Sequence, residues 1–126
     1  MRKIMIVDDQ PEVRELVNIT LSSEEYQILE TDSGEKAIEI AKYEKPDLIL
    51  MDLMMPGSID GLEATKVIKS NPDTKDMYII ILTAKGQKKD IEIGMQAGAD
   101  NYLTKPFSPL NLCMKVEEIL NNSRRK

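Results

Sequence analysis

A doubly wound α/β fold, a parallel sheet with helices on both faces, is predicted by three features of this sequence. Apolar runs of strand length alternate five times with amphipathic stretches of helix length, and no two strands follow one another directly. Two runs, Leu48-Ile49-Leu50-Met51 and Tyr78-Ile79-Ile80-Ile81-Leu82, are continuously apolar, as central parallel strands covered on both faces are. Turn residues at Lys45-Pro46, Pro56-Gly57-Ser58 and Asn71-Pro72-Asp73 separate the elements.

The elements follow in order. Lys3-Ile4-Met5-Ile6-Val7 is the first strand, and Asp8-Asp9 comes at once after it. Val13, Leu16, Val17, Thr20 and Leu21 then recur at helical spacing. Tyr26-Gln27-Ile28-Leu29-Glu30 alternates in polarity and reads as a second strand, at an edge. Ser33-Gly34-Glu35-Lys36 opens a second helix carrying Ala37, Ile38 and Ala41. A third helix carries Leu62, Thr65, Lys66 and Lys69 and is broken by Asn71-Pro72-Asp73. A fourth helix spans about Asp90 to Ala97, weakened by Gly94 and ending near Gly98. Asn101-Tyr102-Leu103 is a brief fifth strand, and Leu110, Cys113, Val116, Ile119 and Leu120 mark a fifth helix.

At 126 residues the chain has the size of one domain, assigned to residues 1–122, with 123–126 as a polar C-terminal tail. Met1 directly ahead of the first strand reads as a natural start, and the tail as an end or the beginning of a linker. With 41% hydrophobic residues the domain can bury a core without staples. The single cysteine, Cys113, excludes an intramolecular disulfide and fits a reducing compartment such as the cytoplasm. It reads as a small apolar residue on a helix face. No apolar stretch approaches a bilayer span, so no membrane role is predicted. Acidic residues outnumber basic ones, 22 to 17, and the net charge of −5 argues against direct nucleic-acid binding. Histidine is absent, which excludes a histidine base, a histidine metal ligand and a phosphohistidine on this chain.

In doubly wound sheets the ligand site lies beyond the carboxyl ends of the strands. Those ends carry Asp8-Asp9 on the first strand, Asp52 on the third, Thr83 on the fourth and Thr104-Lys105 after the fifth. Each has a plainer explanation. Asp9-Gln10-Pro11-Glu12 fits a capping box for the first helix, Thr83 could cap the fourth, and Lys105 could be an ordinary solvated lysine. Together they point elsewhere. Two unit charges about 4 Å apart repel by about 4 kcal/mol at an effective dielectric of about 20, so Asp8, Asp9 and Asp52 need a cation beyond Lys105 alone. An all-oxygen site suits a hard ion, Mg²⁺ before Ca²⁺ or Zn²⁺. The chemistry this suggests is phosphoryl transfer onto Asp52, where positioning and cations do most of the catalysis. Lys105 would neutralise one phosphoryl oxygen and the Thr83 hydroxyl would hydrogen-bond another.

The segments Ile4 to Asp9, Asp47 to Pro56, Ile81-Leu82-Thr83-Ala84, Ala97-Gly98-Ala99-Asp100 and Tyr102 to Phe107 stand in family order and spacing. On them the chain resembles the receiver domain of two-component response regulators, chemotaxis-regulator-like, over essentially its whole length. The resemblance implies a five-stranded flavodoxin-like sheet of order 2-1-3-4-5 and a phosphorylation-dependent switch. It implies Asp52 as phosphoacceptor, Asp9 and Asp52 as direct Mg²⁺ ligands, Asp8 acting through metal-bound water, and the Met54 backbone carbonyl as a further ligand. It implies that Lys105 and Thr83 contact the phosphoryl group, that Tyr102 turns inward as Thr83 moves, and that Lys105-Pro106 is cis. The phosphoryl donor would be a sensor histidine kinase or phosphotransfer protein. The output face would be the fourth helix, fifth strand and fifth helix, read by a downstream protein or output domain.

Two departures from the family pattern stand out. Gly57, Ser58 and Ile59 put three residues, where two are usual, between Pro56 and Asp60-Gly61. Met54 and Lys85 occupy the positions two after the acceptor and two after the threonine that tune dephosphorylation, and a bulky Met54 predicts slow self-dephosphorylation. Competing readings are an aspartyl-nucleophile phosphohydrolase and a receiver-like binding module that is never phosphorylated. The first lacks its acid two residues after a nucleophile on the first strand; the second lacks its usual mark, loss of the acceptor, an acidic residue or the lysine.

Overall fold

The structure, a computed structural model, describes residues 2–55, 57, 59–84 and 88–124. Five strands alternate with five helices: β1 (Arg2–Val7), α1 (Pro11–Leu21), β2 (Tyr26–Thr31), α2 (Gly34–Glu44), β3 (Leu48–Asp52), α3 (Gly61–Ser70), β4 (Tyr78–Ala84), α4 (Lys88–Gln96), β5 (Asn101–Lys105) and α5 (Pro109–Arg124). The strands form one sheet in the order β2-β1-β3-β4-β5. All neighbours pair in parallel. The predicted winding and the edge position of β2 both hold. α5 ends at Arg124, within the stretch expected as a polar tail. Arg125 and Lys126 lie outside the described residues.

The two-residue period of the strands sorts the core into two layers. Met5, Val7, Ile49, Met51, Ile79 and Ile81 meet Ala37 and Ala41 of α2 and Ala64 and Ile68 of α3. Ile4, Ile6, Leu48, Leu50, Ile80 and Leu82 meet Val17 and Leu21 of α1 and Leu112, Val116 and Leu120 of α5. Every residue of β3 is buried, which accounts for its uninterrupted apolar sequence up to Asp52. Burying each such Leu or Ile stabilises the fold by about 1.5–3 kcal/mol.

Two predicted strands are longer than their apolar runs. β4 continues through Thr83 and Ala84, and β5 through Thr104 and Lys105, because Thr83 pairs with Thr104 and Ala84 with Lys105. Backbone pairing thus carries polar residues that hydrophobicity alone leaves out. Gly94 also reads differently in three dimensions. A Cβ there would strike Ile81 Cδ1, so the glycine lets α4 lie close on the sheet. Gly98 (φ +115°) ends α4 in a Schellman motif, with Ala99 N donating to Gly94 O and Gly98 N to Met95 O. No described helix is long and apolar enough to cross a membrane.

Candidate functional site

The strand order places the β1 and β3 ends side by side, with β4 and β5 beyond them, so Asp8, Asp52, Thr83 and Lys105 converge. Asp52 is the last residue of β3 and is 5% exposed. Its Oδ1 accepts a hydrogen bond from Met54 N at 3.2 Å, and its Oδ2 lies 3.6 Å from Lys105 Nζ. Asp8 is fully buried; its Oδ2 lies 2.7 Å from the same ammonium and its Oδ1 accepts from Gln10 N at 2.9 Å. That turn at Asp8 corrects the capping-box alternative for Asp9. α1 starts with Gln10 as N-cap and no side-chain capping bond, leaving the Asp9 carboxylate exposed at the site. Asp8, Asp9 and Asp52 each bring a carboxylate oxygen within 4.8 Å of the others.

The Asp52 carboxyl is pushed up from 3.8 to about 7. Burial is the main cause, followed by the negative charge of Asp8; Lys105 and the Met54 N–H oppose it, and Asp9 adds a smaller push upward. One ammonium therefore leaves the cluster short of positive charge. The donor set fits a hard divalent cation: all carboxylate oxygen, crowded, and one member resisting ionisation for want of compensation.

Thr83 is buried, and its Oγ1 has no hydrogen-bond partner among the described residues. Such a hydroxyl is costly to keep unless something else satisfies it. It lines a cavity of about 500 Å³ with Asp9, Gln10, Asp52, Met54 and Lys105. The Met54 side chain is 75% exposed at this cavity. Tyr102 points outward, 41% exposed, with Lys115 Nζ 5.7 Å from its ring centre. The Lys105-Pro106 peptide is cis.

The loop after the acceptor is tied down from two sides. Asp60 caps α3 by accepting from Glu63 N at 2.9 Å, and Gly61 is obligatory because a Cβ would overlap the Asp52 carbonyl. The longer loop is accommodated at α2: Ile59 N donates to Glu35 Oε1 at 2.7 Å, and Gly34 leaves space for the Ile59 carbonyl. Pro56, Ser58 and Lys85 lie outside the described residues. The Ala97-Gly98-Ala99-Asp100 segment serves the far end of the sheet, where Asp100 Oδ2 accepts from Ile79 N at 2.9 Å and from Lys69 Nζ at 2.7 Å.

Three residues near the site were not anticipated. Gln10 Oε1 accepts from Lys105 Nζ at 3.3 Å, Asp90 of α4 lines the cavity, and Arg14 Nη1 donates to Asp8 O at 2.7 Å. Arg14 alone left a signal, a charge three residues before buried Val17 and seven before Leu21, on the apolar side of α1.

Comparison with known proteins agrees with this fold. Residues 4–117 match the family model described as response regulator receiver domain. The phosphate regulon transcriptional regulatory protein PhoB of Pseudomonas aeruginosa is 38% identical over 97% of this chain and 53% of its own length. The alkaline phosphatase synthesis transcriptional regulatory protein PhoP of Bacillus subtilis is 39% identical over 97% of this chain and 50% of its own. The chain thus spans about half the length of these curated relatives. Among solved structures, the signal receiver domain of a signal transduction histidine kinase from Syntrophus aciditrophicus superimposes with a TM-score of 0.89 at 29% identity, covering 100% of this chain and 95% of the other.

Proposed function

The chain belongs to the response regulator receiver domain family, and from that premise we propose that it works as a phosphorylation-dependent signalling switch whose acceptor is Asp52. The observation that carries the assignment is the pairing of one ammonium, Lys105, with both Asp8 and Asp52, beside a Thr83 hydroxyl that has no partner among the described residues. A carboxylate oxygen of Asp52 attacks phosphorus as the bond to a partner's phosphohistidine nitrogen breaks, and the proton-accepting imidazole leaves. Lys105 holds one phosphoryl oxygen and Thr83 donates its hydroxyl to another. Asp9, Asp52 and the Met54 carbonyl would hold Mg²⁺, with Asp8 reaching it through water. When bound, this ion neutralises carboxylate and phosphoryl charge that Lys105 alone leaves uncompensated.

The donor is a sensor histidine kinase or phosphotransfer protein. Thr83, drawn to the phosphoryl group, vacates space for Tyr102, and α4, β5 and α5 carry the change to a downstream protein or an output domain. The domain turns over no separate substrate, and such a partnership places it in the cytoplasm. Incubation with acetyl phosphate and Mg²⁺, followed by intact mass measurement, should give one phosphoryl adduct, absent with chelator and in Asp52→Asn. An adduct that persists in Asp52→Asn would exclude the assignment.

A further inference from the structure

We propose that Arg14 is a positioning residue for the cation-binding carboxylates, locked in place by Glu30 and Asn18. The proposal rests on the Asp8, Asp9 and Asp52 cluster holding a divalent cation. The peptide joining Asp8 to Asp9 lies just past β1, where the sheet no longer fixes both of its sides. Asp8 N still donates to Thr31 O at 3.1 Å, the last bond toward β2. Asp8 O is taken by Arg14 Nη1 at 2.7 Å. Asp8 Oδ1 accepts from Gln10 N at 2.9 Å, closing a short turn around Asp9. Two of the three restraints come from backbone amides; the third depends on one side chain from α1. Without it the Asp8 carbonyl loses its partner and the Asp8–Asp9 peptide is held on one side only, so Asp9, exposed and held by no side-chain bond among the described residues, can shift with it.

Arg14 is itself held. Its Nε lies 3.5 Å from Glu30 Oε1, and Glu30 Oε2 accepts from Asn18 Nδ2 at 2.7 Å. The Arg14 side chain is 21% exposed and runs from α1 to β2, so the planar fork reaches the carbonyl and Glu30 together. Glu30 also offsets a charge that would otherwise repel a cation. Two effects of opposite sign can thus be separated: loss of positioning weakens cation binding, whereas loss of a nearby positive charge alone would strengthen it. Residues that orient metal ligands typically change affinity by about 10–100-fold when removed.

The test is a Mg²⁺ titration followed by amide NMR shifts of Asp9, Gln10 and Met54, with urea stability measured alongside. Arg14→Met should raise the apparent Kd by about tenfold or more. Arg14→Lys, which keeps the charge but not the planar fork that reaches Asp8 O and Glu30 together, should recover only part of the loss. Asn18→Ala, which loosens Glu30 and through it Arg14 without changing any charge, should weaken binding in the same direction and stands in if Arg14→Met fails to fold. At saturating Mg²⁺, Arg14→Met should reach the unsubstituted level of phosphoryl adduct. An unchanged or tighter Kd in folded Arg14→Met or in Asn18→Ala would overturn the proposal. A merely structural arginine would lower urea stability and leave the Kd alone. If the unsubstituted protein gives no Mg²⁺ response, the cation site fails first, a distinct result that removes the proposal with it.

Discussion

Replacing Asp52 by asparagine should stabilise the metal-free protein, and the gain should depend on pH. The Asp52 carboxyl is pushed up from 3.8 to about 7, first by burial and then by Asp8. Between those values the folded protein keeps a proton that the unfolded chain has released, so raising the pH favours unfolding. At about 1.36 kcal/mol per pH unit the full interval corresponds to about 4 kcal/mol, and access of water through the cavity lowers this to about 2–4 kcal/mol. Asparagine keeps the shape and the acceptor for Met54 N but has no charge to desolvate. In urea titrations with chelator, Asp52→Asn should exceed the unsubstituted protein by about 2–4 kcal/mol at pH 8, and the difference should vanish toward pH 4. Saturating Mg²⁺ at pH 8 should close much of the gap, since a ligand at about 100 times its Kd adds about 2.7 kcal/mol to the protein that binds it. Equal or lower stability of Asp52→Asn at pH 8, or an excess that ignores pH, would refute the electrostatic account of the cluster.

Lys105→Met strips the shared ammonium from Asp8 and Asp52 and should lower stability at pH 8 by about 1–3 kcal/mol, read by urea titration, while slowing adduct formation from acetyl phosphate. Gly61→Ala forces a methyl into the Asp52 carbonyl and should cost about 1–3 kcal/mol or more, read as a lowered unfolding midpoint; an unchanged midpoint would mean that α3 can slide away from β3. Met54→Ala removes bulk beside the acceptor and should shorten the aspartyl-phosphate lifetime, followed by decay of the adduct mass. A lifetime that Met54→Ala leaves unchanged would discard the steric shielding of Asp52.

Much of the fold was legible because the apolar signal and the backbone agree. β3 and the inner residues of β4 are buried on both faces, so their sequence is apolar throughout. The candidate residues were legible for the complementary reason, since carboxylates and a lysine at the ends of such strands have few structural uses. What escaped is what depends on pairing and packing across the chain. The polar ends of β4 and β5 exist through Thr83–Thr104 and Ala84–Lys105 pairing, which no local pattern records. Gly94 looked like a weak point in a helix until the Ile81 side chain was found against it. Asp9 looked like a cap because Asp-x-Pro-Glu fits one, yet Asp8 makes the turn and Gln10 starts the helix. Arg14 is 6 residues from Asp8 and its partner Glu30 lies on a different strand, so their meeting is a tertiary fact.

The most direct measurement places the phosphoryl group. After transfer from a phosphorylated histidine donor in Mg²⁺, borohydride reduction converts an aspartyl phosphate to homoserine, and peptide mass spectrometry locates it. Homoserine at position 52, and at no other aspartate, is the result predicted by Asp52 lining the cavity with Lys105 and Thr83, which the buried Asp8 does not. Homoserine at Asp8 or Asp9, or none anywhere while the donor is consumed, would contradict it.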